Sequence, residues 1–152
     1  MPSEQAGRWA ILPVRLMVGF GFAAHGFAKL GRGPEHFAVI LHALGVPAPG
    51  FAAWATALLE LAGGLCLIAG LAVVPLAGPL GVVMLTAMFG VHLRYGFSSI
   101  RLLAVTSEGA TFGPIGYELN LLYLAGLLAL GIGGAGPISL DASLARRRAG
   151  PS

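Results

Sequence analysis

The sequence is short of thiols, because Cys66 is the single cysteine among its 152 residues. A lone cysteine excludes a disulfide framework, a CxxC redox pair and a thiolate cluster that would hold zinc or an iron–sulfur centre. The chain carries no motif for an intrinsic redox cofactor, so we expect no metal site and no built-in redox group. Any electrons would have to come from a donor or a partner protein.

Charge is scarce as well, with 10% charged residues against 57% hydrophobic ones. This balance is typical of a membrane protein and exceeds the apolar content of a soluble domain of this length. The net charge is +3, and the arginines Arg146 to Arg148 form one cluster near the end of the chain. Such a cluster is no nucleic-acid patch. It is typical of a segment held on the cytoplasmic side by anionic lipid head groups.

Four apolar segments have the length of roughly 20 residues that a bilayer core requires. They cover residues 11–31, 51–73, 76–97 and 116–135. In lipid the backbone amides must be bonded internally, so each segment should be α-helical. The sequence therefore predicts one all-α domain over residues 1–152, an integral membrane four-helix bundle in which Val74-Pro75 links spans two and three.

The two longer connections, residues 32–50 and 98–115, are predicted to lie on the same side of the membrane. In the first, Phe37, Ile40, Leu41 and Leu44 follow helical spacing and predict a short interfacial helix. We expect a second short interfacial helix, partly inserted, within residues 98–115. Residue usage rich in glycine, alanine and arginine is typical of a bacterial protein, so we expect a multi-pass protein of a bacterial inner membrane. Lysine and arginine counts favour a cytoplasmic location of both termini, with the long connections on the other side.

Ionisable residues inside the spans are the candidate functional groups, because a charge in lipid costs a few kcal/mol or more. Since successive spans alternate in direction, six of them fall in the half of the bundle away from the termini: His25, Lys29, Glu60, His92, Arg94 and Glu118. Glu60 is the deepest and needs a cationic or donor partner, for which His25, Lys29 and His92 lie at similar depth. We assign catalytic roles to His25, Glu60 and His92, and substrate- or quinone-binding roles to Lys29, Arg94 and Glu118.

Simpler roles compete with these assignments. Lys29 and Arg94 would reach lipid phosphates by extending along the helix, as Arg15 is expected to do near the other end of span one. Glu118 would be favoured at a helix start by the helix dipole. Tyr117, Asn120 and Tyr123 recur every three residues in span four, where interhelical hydrogen bonding is the expected role.

Five segments together resemble the DoxX family of small four-span membrane proteins. They read RLMVGFGFAAHGFAKL, ALLELAGGLCLIAGL, VHLRYGF, GYELNLLYLAGLLAL and GPISLD, between Arg15 and Asp141. The resemblance implies a membrane protein related to the small subunits of thiosulfate:quinone oxidoreductase, without implying that this chain oxidises thiosulfate. The positions that match the family are His25, Gly26, Lys29, Glu60, Gly63, Gly64, His92, Gly116, Glu118 and Asp141.

Four functions remain open from the sequence. The first is a quinone-interacting subunit of a membrane oxidoreductase, in which His25, His92 and Glu60 hydrogen-bond the quinone oxygens and a partner redox enzyme supplies electrons. The second is a non-catalytic membrane partner or assembly subunit, whose charged band locks the helices together. The third is a b-type haem protein with His25 and His92 as ligands. The fourth is a carrier of a small organic solute.

Overall fold

The computed structural model describes residues 4–148, which are mostly helical. In this part of the chain, three helical stretches are long and apolar enough to cross a membrane: Trp9–Arg32, Pro49–Ala69 and Val73–Tyr95. The elements in chain order are α1 (Glu4–Arg32), α2 (Pro34–Ala43), α3 (Pro49–Ala69), α4 (Val73–Ala87), a π-helical turn (Met88–His92), a 3₁₀ turn (Leu93–Tyr95), β1 (Leu102–Thr106), β2 (Gly109–Phe112), α5 (Glu118–Gly133) and α6 (Leu140–Arg148).

The long helices are antiparallel neighbours, so the bundle has two ends. At the distal end, α1 and the 3₁₀ turn after α4 finish, and α3 and α5 begin. At the proximal end, α3 and α5 finish and α4 begins. Helix α3 packs mainly on α1 and α2, whereas α4 packs mainly on α5. The core between them is apolar, and Phe22, Leu67, Leu80 and Leu130 are fully buried in it.

Glycines bring α1 and α3 into backbone contact. A Cβ atom on Gly19 would lie 2.8 Å from the carbonyl oxygen of Gly64, and one on Gly64 would lie 2.6 Å from the carbonyl oxygen of Gly19. Real side chains do not tolerate such distances, so these positions need glycine. Close backbone approach of this kind strengthens dispersion contacts between the helices. In lipid these contacts matter because the hydrophobic effect does not drive helices together there.

The first three predicted spans match the three long apolar helices, but the link between the second and third lies elsewhere. Helix α3 ends at Ala69 and Gly70 follows with φ +70°, the left-handed conformation that glycine adopts at little cost. Helix α4 then begins at Val73, so the connection is 70–72 and the prediction of Val74-Pro75 was wrong. Pro75 lies in the first turn of α4, where a missing N–H removes no helical hydrogen bond.

The first long connection contains the predicted helix, α2, which begins at Pro34 directly after Gly33. The second does not contain a helical element, and this prediction was wrong. It forms an antiparallel hairpin in which Val105 pairs with Ala110 and Thr106 with Gly109. The Thr106 hydroxyl accepts a hydrogen bond from the Glu108 N–H, and Gly109 takes φ +128°. Local turn chemistry therefore prevails over the short apolar run. All residues of both strands are exposed.

Arg15 does not extend to lipid phosphates as the sequence suggested, because only 2% of it is exposed. Its guanidinium donates to the carbonyl oxygens of Ala135 and, at 2.7 Å, Ile138. The Asp141 carboxylate accepts hydrogen bonds from the backbone N–H groups of Ala72 and Val73 at 3.0 and 3.3 Å. We call these contacts of Arg15 and Asp141 the proximal clamp. The segment after α5 is thereby fixed onto the α3–α4 connection.

Candidate functional site

A cavity of about 490 Å³ lies in the distal half of the bundle. Helices α1 to α5 all contribute to its walls, and most of its lining is aliphatic. Thr56 and Thr86 are among its lining residues, and its larger polar side chains come from four helical segments. They are His25 and Lys29 from α1, Glu60 from α3, His92 from the π-helical turn that continues α4, and Asn120 and Tyr123 from α5.

An ion pair between Lys29 and Glu60 forms part of the wall of this distal cavity. The Lys29 ammonium contacts the Glu60 carboxylate directly, and Glu60 is only 1% exposed while the Lys29 side chain is 24% exposed. The ammonium also lies 4.7 Å from the centroid of the Phe37 ring on α2, within the range of a cation–π interaction. Of the three partners that the sequence allowed for Glu60, the structure provides Lys29.

The helical path of the chain explains why Lys29 and Glu60 meet. Gly26 lies one turn before Lys29, and a Cβ atom there would be 2.8 Å from the carbonyl oxygen of Ala57 on α3. Because α1 and α3 touch backbone to backbone at this level, the next turn of α1 places Lys29 beside Glu60. A buried carboxylate would otherwise cost several kcal/mol, so the close packing and the ion pair depend on each other.

His92 has a defined protonation pattern. Its Nδ1 atom lies 3.0 Å from the carbonyl oxygen of Ile115, and a carbonyl only accepts, so Nδ1 carries a proton. In the neutral ring Nε2 is then an acceptor. His92 ends a π-helical turn, an irregularity that shifts side chains around the helix axis and recurs at functional sites. His25, one turn before Lys29 on α1, lines the same cavity.

Asn120 and Tyr123 were assigned only to interhelical bonding by the sequence, yet both line the distal cavity. The Asn120 amide donates to the Met84 carbonyl oxygen at 3.4 Å, which confirms the interhelical bond. The Tyr123 ring packs edge-on against Phe22 with centroids 5.3 Å apart. The three-residue spacing on α5 indicated a polar face. Only the packing shows that Asn120 and Tyr123 line the same cavity as the Lys29–Glu60 pair.

Arg94 and Glu118 lie outside the cavity lining. The Arg94 guanidinium stacks on the Tyr95 ring, 4.9 Å from its centroid, and its side chain is exposed. The Glu118 carboxylate accepts a hydrogen bond of 2.9 Å from the Ser99 N–H. Glu118 is the first residue of α5, so its charge also suits the helix start. The structure thus gives both residues local partners at the distal end.

The acidic and histidine side chains do not form a metal cluster: within residues 4–148, no group of three His, Cys, Asp or Glu residues is arranged to hold a metal ion. The arrangement instead combines one buried ion pair, two imidazoles, an amide and a phenol in an apolar chamber. Such a chamber suits a ligand with an apolar body and one or two polar oxygens, because a few placed polar groups would orient it.

The DoxX family model matches residues 10–93 of the chain, which is more than half of it. The matched range contains Lys29, Glu60 and both cavity histidines, and it ends before the hairpin and α5. Comparisons with curated proteins and with solved structures gave no match.

Proposed function

Because this chain belongs to the DoxX family, we propose that it is a membrane subunit that binds a quinone ring in the distal cavity for a membrane oxidoreductase. The observation that carries the proposal is the buried Lys29–Glu60 pair facing an otherwise apolar cavity. The cavity volume of about 490 Å³ lies within the range of roughly 300–1,000 Å³ typical of small-molecule sites.

The topology that goes with this proposal has four spans. Helix α5 is apolar and has 16 residues, about 24 Å at 1.5 Å per residue, and it packs against α1 and α4. Taking α5 as the fourth span puts both termini on one side. The exposed Arg146 and Arg147 on α6 support a cytoplasmic location of that side in a bacterial inner membrane. Helix α2, with exposed Val39 and Ile40, would lie in the opposite interface.

Different residues bind the quinone ring and supply protons to it. A quinone takes up two electrons and two protons when it becomes a quinol, and a partner enzyme supplies the electrons. The Lys29 ammonium donates to one quinone oxygen while Glu60 holds its charge in place. Asn120 lines the same cavity and is a further donor. His25 and His92 line the same cavity, and their ring nitrogens are suited to pass protons to the site.

The test is retention of quinone by the protein purified in mild detergent from its native membrane. We expect near-stoichiometric quinone by mass spectrometry in the wild type and at least a tenfold loss in Glu60→Gln. Glu108→Gln is the matched control, because Glu108 is exposed in the turn of the hairpin. A folded wild-type protein that neither retains quinone nor takes it up on titration would refute the proposal.

A second candidate, an assembly subunit without its own turnover, is favoured by the exposed hairpin. Isolated two-stranded hairpins are only marginally stable, and here Leu103, Val105 and Phe112 all expose apolar side chains. A partner protein would cover them. Replacing residues 102–112 by a short Gly-Ser linker should then abolish co-purification of a stoichiometric partner while leaving quinone retention intact. If quinone retention is lost together with the partner, quinone binding depends on assembly with that partner and the two functions are not separate.

The haem alternative rests on one observation, that His25 and His92 line the same cavity. A visible spectrum of the purified protein, expressed with full haem supply, decides it. A Soret band that disappears in His92→Ala would replace the quinone proposal, whereas a colourless protein removes the haem alternative.

A further inference from the structure

The wall of the distal cavity is incomplete on the side of α4. Val82 lines the cavity and yet is 63% exposed, and Thr86, one turn further along, is also both lining and exposed. Val82 lies about 13 residues before Tyr95, or roughly 20 Å from the distal end of the bundle at 1.5 Å per residue. An opening at this depth faces the hydrocarbon core of a bilayer, which is about 30 Å thick.

Helix α3 also contributes to the cavity wall. Ala52 and Thr56 lie one turn apart on α3 and line the same cavity with small side chains. Although a three-residue connection joins α3 and α4, the two helices contact each other much less than α3 contacts α1 or α4 contacts α5. Closer to the connection they do touch, since a Cβ atom on Gly63 would lie 3.4 Å from the side chain of Leu80. The helices therefore close proximally and separate distally.

The side of the cavity toward the distal surface is covered by apolar groups. Phe37, Ile40 and Leu41 of α2 line it, and Ile115 from the loop before α5 does so too. Phe37 stacks on the Lys29 ammonium, and α2 packs on α3. A water-soluble ligand would have to pass this apolar cover, whereas a ligand dissolved in the bilayer meets the opening between α3 and α4.

Building on the proposed quinone site, we propose that the distal cavity is entered sideways from the bilayer, through a gap between Ala52/Thr56 on α3 and Val82/Thr86 on α4. The ligand class is a lipid-soluble amphipath. Its polar ring lies at the Lys29–Glu60 pair, and its hydrocarbon tail leaves past Val82 into lipid. The head-group site and the tail passage are thus separate parts of one cavity.

The first experiment compares Val82→Trp with Leu85→Trp in lipid nanodiscs. Leu85 is also on α4 and is 41% exposed, but it does not line the cavity. Two probes are titrated to equilibrium: a quinone with a long isoprenoid tail and a tail-less, water-soluble quinone. In Val82→Trp we expect at least a tenfold weaker affinity for the tailed quinone and less than a twofold change for the tail-less one. Leu85→Trp should alter neither affinity.

The second experiment needs no quinone. An alkyl-chain diazirine dissolved in the nanodisc lipid is photoactivated, and adducts are mapped by peptide mass spectrometry. Adducts on Asn120, which is buried on the inner wall, are expected in the wild type and in Leu85→Trp and should fall at least fivefold in Val82→Trp. If the wild type shows no adducts on Asn120, or if Val82→Trp and Leu85→Trp show equal amounts, lateral entry is refuted. Labelling as expected, with no quinone bound, would refute the quinone proposal and leave the lateral entry standing.

Discussion

Removing the Lys29 side chain should cost stability because it leaves Glu60 buried without its cation. We consider Lys29→Met, which keeps most of the apolar stem. Breaking a fully buried ion pair costs about 3–5 kcal/mol. Because Lys29 is 24% exposed, we expect a smaller loss, roughly 2–3 kcal/mol of the free energy of unfolding. Glu60→Gln alone should cost less, because it leaves a partly exposed ammonium that solvent can reach.

The double variant Lys29→Met/Glu60→Gln carries the sharper expectation. With both charges gone, neither is left unpaired, so the double variant should be more stable than Lys29→Met by at least about 1 kcal/mol. The assay is reversible unfolding in mixed micelles as the mole fraction of dodecyl sulfate rises, with Glu108→Gln as the control for loss of a carboxylate elsewhere. If the two single effects simply add, within about 0.5 kcal/mol, the ion pair does not couple the helices and the reasoning fails.

Three further variants test the packing and the site. Gly64→Ala should lose about 1–3 kcal/mol in the same assay because α1 must move away, whereas Gly78→Ala, with open space around its Cβ, should be neutral; equal effects would contradict the close approach. Asp141→Ala should cost about 1–2 kcal/mol by freeing two N–H groups at the start of α4, and an unchanged unfolding midpoint would argue against the clamp. His92→Ala should weaken quinone binding severalfold, whereas a substitution of the exposed His42 by alanine should not change it. If both variants lose quinone affinity equally, the loss does not report on the distal cavity.

The proximal and distal ends of the bundle differ in how they treat charge. At the proximal end, the buried Arg15 is bonded to backbone carbonyl oxygens and Asp141 to backbone N–H groups, so both charges meet fixed dipoles. At the distal end, Lys29 and Glu60 meet each other beside a cavity. Fixed backbone partners are suited to holding helices together, whereas a side-chain pair with space beside it is able to exchange one partner for a ligand.

Arg15 shows where sequence reasoning ended. Its position near the end of an apolar segment fits a side chain that reaches lipid phosphates, and the carbonyl acceptors that bury it lie about 120 residues later in the chain. The prediction for residues 102–112, which form the hairpin, was wrong for a different reason. Its apolar run is short, and the turn at Thr106 and Gly109 decided its structure.

By itself, the sequence determined the membrane class, the helical stretches and the half of the bundle that holds the candidate site residues. These follow from composition, segment length and the alternation of span direction, which are properties of the chain and the bilayer alone. Only the tertiary structure decided that Lys29 pairs with Glu60, that Asn120 and Tyr123 join them, that Arg94 and Glu118 do not, and that α3 and α4 part at the cavity. Those outcomes depend on helix rotation and on backbone distances set by glycines, and spacing along one helix does not fix the rotation of its neighbour.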